Sequence, residues 1–373
     1  MLKFSSIFSR RLPKSFVISI PAAILVFSAC QVQERKPSYG LDVVVAMDIS
    51  SEELSSIDTG AFTKTAVSVP LWINDDQYIA KVGFAGATSV DELKRSFDIR
   101  LSTPYRGRTA FRLSAMNGDL SALRALLYFR AFSALGFEVP RAEPTAVWVN
   151  DDYAGLYLLM ELFDEDYFRS RGIRAKQLYQ AENGLGDFKS ATSLDRGFSE
   201  KIGKNGMVDL EAVVSVVAAD PSDANCRALE HIVDIGNVMN YMAASSLLDN
   251  RDGDDNNYFL LRTEDDAQFR ILPWDLDISM VDTYRVDNRA LFADNALFSR
   301  LFDVECCGHS YADVYQEAAE ILRRQRLPEY AVELANRIRE AYEQDWFLSA
   351  GQLTLDDHVV EIGQYLERAL SAP

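Results

Sequence analysis

The stretch NRDGDDNNYFLL, residues 250–261, places acids and amides directly before a run of apolar, β-prone residues. One interpretation is a polar turn, because Asp and Asn side chains bond nearby backbone groups. A second is a calcium loop of the EF-hand type, but its register fails. With Gly253 at the central glycine position, Leu248 and Phe259 would stand where the first and last ligands belong, and neither can bind a cation. A third is the metal-holding loop of a phosphoryl-transfer enzyme.

Two features of spacing favour the third interpretation. Asp252 and Asn257 are separated by four residues, which is the spacing of the Asp and Asn in the catalytic loop of protein kinases. In that template the Asp orients the substrate hydroxyl or accepts its proton, and the Asn holds magnesium. After a short predicted hairpin come Asp275 and Asp277, where a kinase carries its metal-binding Asp. Carboxylates and an amide that converge on Mg²⁺ would neutralise a triphosphate.

The composition limits the classes of function that remain. A chain of 373 residues, 48% hydrophobic and 25% charged, suits one large globular domain or two smaller ones. The formal charge of −18 argues against charge-driven binding to nucleic acids or anionic membranes. It would also repel a polyphosphate, so phosphate chemistry would need a metal ion as a bridge. With 3 His in the chain, oxygen atoms are the expected metal ligands.

Residues 1–30 are predicted to be a signal peptide rather than part of the fold. A basic beginning is followed by the apolar segment 16–27, which is too short to span a bilayer. Small residues precede Cys30, as in a bacterial lipobox, although Phe27 replaces the usual Leu. We therefore expect an exported lipoprotein of the cell envelope or surface, anchored to the membrane by a lipid on Cys30. Ordinary secretory cleavage, giving a secreted protein, is the alternative.

The rest of the chain divides by its periodicity. Residues 31–40 are predicted to be a polar tether, and residues 41–161 a β-rich lobe with one main helix, capped by Asp119 and ended by Gly136. Residues 162–373 are predicted to be α-rich, apart from the hairpin that follows the acidic loop. This pattern predicts an α+β fold with two lobes, and a cleft between lobes is a natural ligand site. Outside the cytosol, Cys226 can form a disulfide with one of two later cysteines, and the sequence leaves the choice open.

The chain resembles a known family over roughly residues 78–280. The acidic loop together with FRILPWDLD, residues 269–277, is similar to the signature of the CotH kinases, atypical secreted protein kinases named after a spore coat protein. Among the segments that resemble the family, this block is the one that is specific to it. Residues 80–101, 117–136 and 147–168 support it, because they resemble the family's Gly-containing and basic-aromatic strands, its N-lobe helix and its β-hairpin. The resemblance implies an atypical protein-kinase-like bilobal fold.

The resemblance also implies roles for particular residues. Asp252 would be the catalytic Asp, Asn257 the amide ligand of the metal, and Asp275 the metal-binding Asp at the phosphates. Asp277 would assist in binding the metal. Trp274 is expected to pack and to fix the metal loop rather than to contact the ligand. The implied cofactors are ATP and Mg²⁺ or Mn²⁺.

The residues that bind the nucleotide are less sharply defined. The candidates for the cation at the phosphates are Lys94, Arg95 and Arg112, of which the first two match the family's basic pair. Arg124 is also a candidate, but a surface residue or an ion pair between lobes explains it equally well. Glu161 falls where the two predicted lobes join, and it either contacts the nucleotide or ends a strand.

The leading prediction is an exported atypical protein serine/threonine kinase, a transferase that moves the γ-phosphoryl group of ATP to Ser or Thr of a protein substrate with a divalent metal. The alternative is a non-catalytic, kinase-like cell-surface module that binds protein or glycan, because ATP is scarce outside the cytosol and a fold does not establish a function. The joint presence of Asp252, Asn257 and Asp275 favours catalysis. No nucleic-acid partner is expected.

Overall fold

The fold is built on two sheets, a closed seven-stranded barrel and a four-stranded sheet, with helices packed around them. It is seen in a computed structural model that describes residues 36–57, 65–85, 93–275, 279–280, 288–303, 305–306 and 308–371. The protein is therefore a mixed α+β structure. The predicted signal peptide and its Cys30 lie outside the described residues, and the predicted boundaries at residues 40 and 161 stay predictions.

The barrel occupies the first part of the described chain. Its strands are β1 (Val43–Met47), β2 (Val67–Ile73), β3 (Asp76–Phe84), β4 (Phe97–Tyr105), β5 (Arg108–Ser114), β6 (Ala142–Val149) and β7 (Asp152–Glu161). The order around the barrel is β1-β2-β3-β4-β5-β7-β6, and a parallel pairing of β1 with β6 closes it. Alternate residues of β1, namely Val43, Val45 and Met47, point into one apolar interior.

Strand β7 is buried on both faces, which explains its unbroken apolar run. Tyr157 and Leu159 belong to the barrel interior. Leu156, Leu158 and Met160 belong to a second, larger core that the barrel shares with the helices. Because β7 packs on both sides, the barrel and the helical part share this strand up to its end at Glu161.

Strand β2 contains a residue that is uncommon inside strands. Its segment VSVPLWI contains Pro70, and a proline normally argues against a strand because it cannot donate to the ladder. In the structure Pro70 pairs with Ile79 of β3 but lies beyond Leu71, the last residue of β2 that pairs with β1. Its carbonyl still accepts from the N–H of Asp48, one residue past the end of β1, so the missing N–H falls at the edge of the β1–β2 ladder.

The second sheet corrects the prediction that the chain after Glu161 contains only one hairpin. Its strands are β8 (Ala175–Ala181), β9 (Phe198–Ile202), β10 (Tyr258–Thr263) and β11 (Arg270–Pro273), in the order β11-β10-β8-β9. The predicted hairpin is β10–β11. The segment AKQLYQA of β8 has few β-branched residues, so pairing with β10, rather than local preference, makes it a strand.

The helices complete the larger core. They are α1 (Ser51–Ile57), α2 (Arg124–Ala134), α3 (Glu165–Ser170), α4 (Leu194–Gly197), α5 (Val208–Val217), α6 (Asp223–Glu230), α7 (Ile235–Leu247), α8 (Asn288–Phe292), α9 (Ala296–Asp303), α10 (Tyr311–Arg323), α11 (Leu327–Gln344) and α12 (Leu355–Ser371). In the described part of the chain, no helix has both the length and the apolar character needed to cross a membrane. A disulfide joins Cys226 on α6 to Cys306, which settles the choice that the sequence left open.

Helix α2 is the main helix predicted for the β-rich lobe. It begins at Arg124, because Ala122 takes a left-handed conformation with φ 56° that breaks any earlier turn. Leu123, rather than the predicted Asp119, stands at the N-cap position, but the Asp119 carboxylate accepts hydrogen bonds from the N–H groups of Ser121 and Arg124. Phe132 of α2 packs on Tyr241 of α7, with ring centroids 5.6 Å apart.

Candidate active site

The β10–β11 hairpin brings the two halves of the sequence signature together. Tyr258 pairs with Pro273 at the end of the ladder, and the N–H of Trp274 donates to the carbonyl of Asn257 at 3.1 Å. Asn257 and Asp275 therefore lie at the same end of the hairpin. Both have left-handed backbones, with φ 55° and 50°. Asn and Asp adopt this conformation more readily than other side chains, so their short polar groups suit these two positions.

Asp252 and Asn257 are in direct contact. The amide nitrogen of Asn257 donates to Oδ2 of Asp252 at 2.6 Å. Burial raises the pKa of Asp252, and the negative charge of Asp275 raises it further, while the amides of Asn256 and Asn257 oppose the shift. The two residues that the spacing paired are thus neighbours, and Asp275 is near enough for its charge to act on them.

Asp275 is linked to the barrel through Arg112. Burial raises the pKa of Asp275, whereas the positive charge of Arg112 on β5 lowers it and the negative charge of Asp98 raises it. The guanidinium of Arg112 lies 5.4 Å from the ring centre of Trp274 and donates from Nε to Asp98 at 2.8 Å. The positive charge of Arg112, one of the candidate phosphate cations, therefore acts on Asp275 at the end of the hairpin.

Helix α7 anchors the loop between Asn250 and Asn257 through hydrogen bonds. The hydroxyl of Tyr241 donates to the carbonyl of Gly253 at 2.8 Å, and the backbone of Asn250 donates to Ser245 at 2.9 Å. A methyl group on Gly253 would collide with the side chains of Asn250 and Tyr241. Glycine is therefore required here by close packing, and the loop is anchored to a buried helix.

Lys94 has contacts that differ from those of Arg112. Its side chain is 1% exposed, and its ammonium donates to Asp345 at 2.7 Å and to the carbonyl of Leu156 at 2.6 Å. Asp345 directly follows α11, and Leu156 lies on β7. These bonds assign Lys94 to the joint between the barrel and the C-terminal helices rather than to the acidic loop.

Three of the remaining candidates contact aromatic or charged side chains. The guanidinium of Arg95 lies over the ring of Phe84 at 4.6 Å. Glu161 is 4% exposed and forms ion pairs with Arg171 and Arg108, so its contacts favour the strand-end interpretation. Arg124 pairs with Asp119 at the start of its own helix, at 2.6 Å. Asp277 lies outside the described residues.

The sequence matches a known protein family over most of its length. A family model described as "CotH kinase protein" matches residues 82–371. The chain belongs to the CotH kinase family. The inner spore coat protein H of Bacillus subtilis (strain 168) is 24% identical over 241 residues, which cover 61% of this chain. The match spans 66% of that relative's own length, just under two thirds.

Two solved structures are also similar at a low level. The proinflammatory kinase CtkA of Helicobacter pylori has a TM-score of 0.33 and 12% identity, with 84% of this chain and 90% of that chain covered. A HipA, HipB and operator DNA complex of Shewanella oneidensis MR-1 has a TM-score of 0.30 and 12% identity, with 88% and 73% covered. TM-scores this low do not establish a shared fold.

The side chains at the hairpin end fit the divalent metal that this kinase family implies. Within the described residues, His, Cys, Asp and Glu side chains do not gather in any group of three or more that could hold a metal ion. The candidate set consists of two carboxylates, Asp252 and Asp275, and the amide of Asn257. Hard oxygen donors suit Mg²⁺ or Mn²⁺. Two half-buried carboxylates with raised pKa values carry a surplus of negative charge that a cation would relieve.

Sequence reasoning missed two residues that touch this site. Asn256 hydrogen-bonds Asp252, and Asp98 binds Arg112. Asn256 belongs to the stretch NRDGDDNNYFLL, and its position between Asp252 and Asn257 is the feature of the sequence that could have indicated it. Asp98 and Arg112 are opposite each other only in the register of β4 with β5, and a single sequence does not reveal that register.

Proposed function

We propose that this member of the CotH kinase family is an active protein kinase, which transfers the γ-phosphoryl group of ATP to a Ser or Thr hydroxyl of a protein. The observation that carries the proposal is the contact of Asn257 with Asp252, at 2.6 Å, beside Asp275 at the end of one hairpin. Family membership supports it. Phosphoryl transfer depends on such positioning of charge more than on covalent chemistry by the protein.

Each residue has a separate role in this proposal. Asp252 would orient the acceptor hydroxyl and accept its proton, a role that its raised pKa favours. Asn257 and Asp275 would hold Mg²⁺ or Mn²⁺, with Asp277 assisting. When bound, the metal would neutralise the negative charge of the triphosphate. Arg112 would add a fixed positive charge from the barrel side.

The proposal also includes a division into two lobes with the nucleotide between them. The barrel would act as the N-lobe, residues 41–161, and the remaining residues, 162–373, as the C-lobe. Strand β7, which packs in both cores, supports this arrangement because it ends where the lobes would join.

We further propose that the protein works outside the cytosol as a lipoprotein anchored through Cys30. The disulfide between Cys226 and Cys306 supports export, because disulfides persist in oxidising compartments and are rare in the cytosol. Its protein substrate would then be a neighbour on the cell envelope or surface. Labelling with a radioactive fatty acid tests the anchor: label in the parent and none in Cys30→Ser is expected, and an unlabelled parent would favour the secreted form.

Nucleotide binding and phosphoryl transfer can be tested separately. We expect ATP with Mg²⁺ or Mn²⁺ to raise the unfolding temperature of the parent, and EDTA to abolish the rise. Asp275→Ala should lose the rise, whereas Asp252→Asn should keep it and lose transfer of ³²P from labelled ATP to a Ser/Thr peptide library. The matched control is Asp265→Ala, because Asp265 is exposed at the opposite end of the same hairpin and pairs with Arg174.

The outcomes distinguish the two functions predicted from the sequence. Metal-dependent binding that Asp275→Ala loses, together with peptide labelling that Asp252→Asn loses, is the expected result. Binding without labelling of any peptide would point to a nucleotide-binding module. If no metal produces a shift in the parent, catalysis is excluded and a non-catalytic surface module takes its place.

A further inference from the structure

The carboxylate of Asp98 fixes the orientation of the Arg112 guanidinium. The two residues lie opposite each other on β4 and β5. Nε of Arg112 donates to Oδ1 of Asp98 at 2.8 Å, and Nη2 donates to Oδ2 at 3.2 Å. Two parallel bonds of this kind set the plane of a guanidinium as well as its distance. Asp98 therefore determines where the charge of Arg112 is placed.

From this position Arg112 is joined to the candidate metal loop by packing. Its guanidinium lies over the ring of Trp274, which is 2% exposed. Trp274 also packs against Phe163 and Phe259, and each of these ring centroids lies 5.5 Å from that of Trp274. The backbone of Trp274 in turn bonds Asn257. A continuous set of contacts thus runs from Asp98 to the end of the hairpin.

Arg112 retains capacity for an anion in this arrangement. An arginine has more N–H donors than the two bonds to Asp98 use. The neighbouring acids Asp252 and Asp275 disfavour an anion by themselves, so a phosphate would need both a metal and a correctly placed cation. Lys94 is buried against Asp345 and cannot turn toward the loop without breaking that pair.

We propose that Asp98 is a positioning residue for the phosphates of the nucleotide, acting through Arg112. This inference rests on the proposed kinase function. The side chain of Asp98 is 31% exposed, so water screens its negative charge, while the two bonds to Arg112 remain. Orientation of the cation therefore outweighs repulsion of the phosphates, and removing the Asp98 charge weakens ATP binding.

The test separates phosphate binding from binding of the nucleoside. Dissociation constants for ATP with Mg²⁺ and for adenosine are measured calorimetrically with the parent and with Asp98→Asn. We expect Asp98→Asn to bind ATP about ten-fold more weakly, as the loss of an outer supporting group does at metal sites, and to bind adenosine as the parent does. The control is Glu143→Gln, which breaks the ion pair of Glu143 with Arg106, at 2.6 Å, on the same barrel. It should change neither constant.

Two further variants distinguish positioning from general damage. Asp98→Glu keeps a carboxylate and should recover part of the ATP affinity. Arg112→Lys should lose about as much ATP affinity as Asp98→Asn, and the double variant should lose no more, because both changes act on one interaction. Independent, additive losses would overturn the inference.

The remaining outcomes separate this inference from the proposed function. Unchanged or tighter ATP binding by Asp98→Asn, with a parent that binds ATP, overturns the role of Asp98 alone. Equal weakening of ATP and adenosine binding overturns it too, because that is the effect of a structural defect. A parent that binds no nucleotide with any metal overturns the proposed function and this inference together.

Discussion

Replacing Lys94 by methionine should destabilise the protein without a specific effect on ATP binding. Methionine keeps most of the volume of lysine and removes its charge. The side chains of Lys94 and Asp345 are 1% and 0% exposed. In Lys94→Met, the Asp345 carboxylate would keep its bond from the N–H of Leu156, at 2.7 Å, but would lose its counter-charge in a region that water does not reach.

The size of the effect follows from this burial. Removing one partner of a buried ion pair costs about 3–5 kcal/mol, because the other charge is left uncompensated. For a domain of this size, a loss of about 4 kcal/mol lowers the unfolding temperature by about 6 °C. The double variant Lys94→Met/Asp345→Asn removes both charges, so it should cost less than the sum of the two single changes.

Thermal and guanidinium unfolding, followed by circular dichroism, measure this difference. The control is Lys201→Met: Lys201 pairs with Glu182 at 2.8 Å, but both side chains are 31% exposed. That change should cost less than about 1 kcal/mol. ATP affinity of Lys94→Met, measured well below its unfolding temperature, should stay close to that of the parent. A Lys94→Met protein that unfolds like the parent but no longer binds ATP would refute the reasoning and restore Lys94 as the phosphate cation.

Three more predictions concern glycines and an acid. Gly155→Ala should destabilise the fold more than Gly107→Ala: both have positive φ, but only a methyl group on Gly155 would collide with the carboxylate of the buried ion pair. Gly253→Ala should lower phosphoryl transfer, since its methyl group would displace Asn250 under the acidic loop. Burial raises the pKa of Asp254 from 3.8 to about 6, so its ionised form destabilises the fold above that pH. Asp254→Asn should therefore raise the unfolding temperature at about pH 8 in EDTA, and the gain should fade as the pH decreases toward 4.

Each of these has an outcome that contradicts it. Equal unfolding temperatures for Gly155→Ala and Gly107→Ala would mean that the Asp345 carboxylate moves aside at no cost. Full activity in Gly253→Ala would show that the loop tolerates a shift of Asn250. A stabilisation by Asp254→Asn that is the same at all pH values would exclude its ionisation as the cause.

Local sequence patterns were sufficient for the candidate site. The four-residue spacing of Asp252 and Asn257 and the hairpin that leads to Asp275 are short-range features. The two strands of a β-hairpin pair directly with each other, so the residues at their open ends become neighbours in space. The packing of Trp274 and the end of α2 at Ala134, two residues before Gly136 with its φ of 86°, have local signals of the same kind. The family resemblance rested on these residues and is confirmed by the match over residues 82–371.

Tertiary structure alone decided the features that depend on distant pairing. Strands β8 and β9 lack a strong local preference: β8 exists because β10 offers it a partner, and β9 exists because β8 does. The ion pair of Lys94 joins residues 251 positions apart, and the opposition of Asp98 and Arg112 depends on one register of two strands. A sequence shows which side chains can carry charge, but their partners follow from how the whole chain packs. For that reason the proximity of Asp252, Asn257 and Asp275 was predictable from the sequence around them, while the pairing of Arg112 with Asp98 was not.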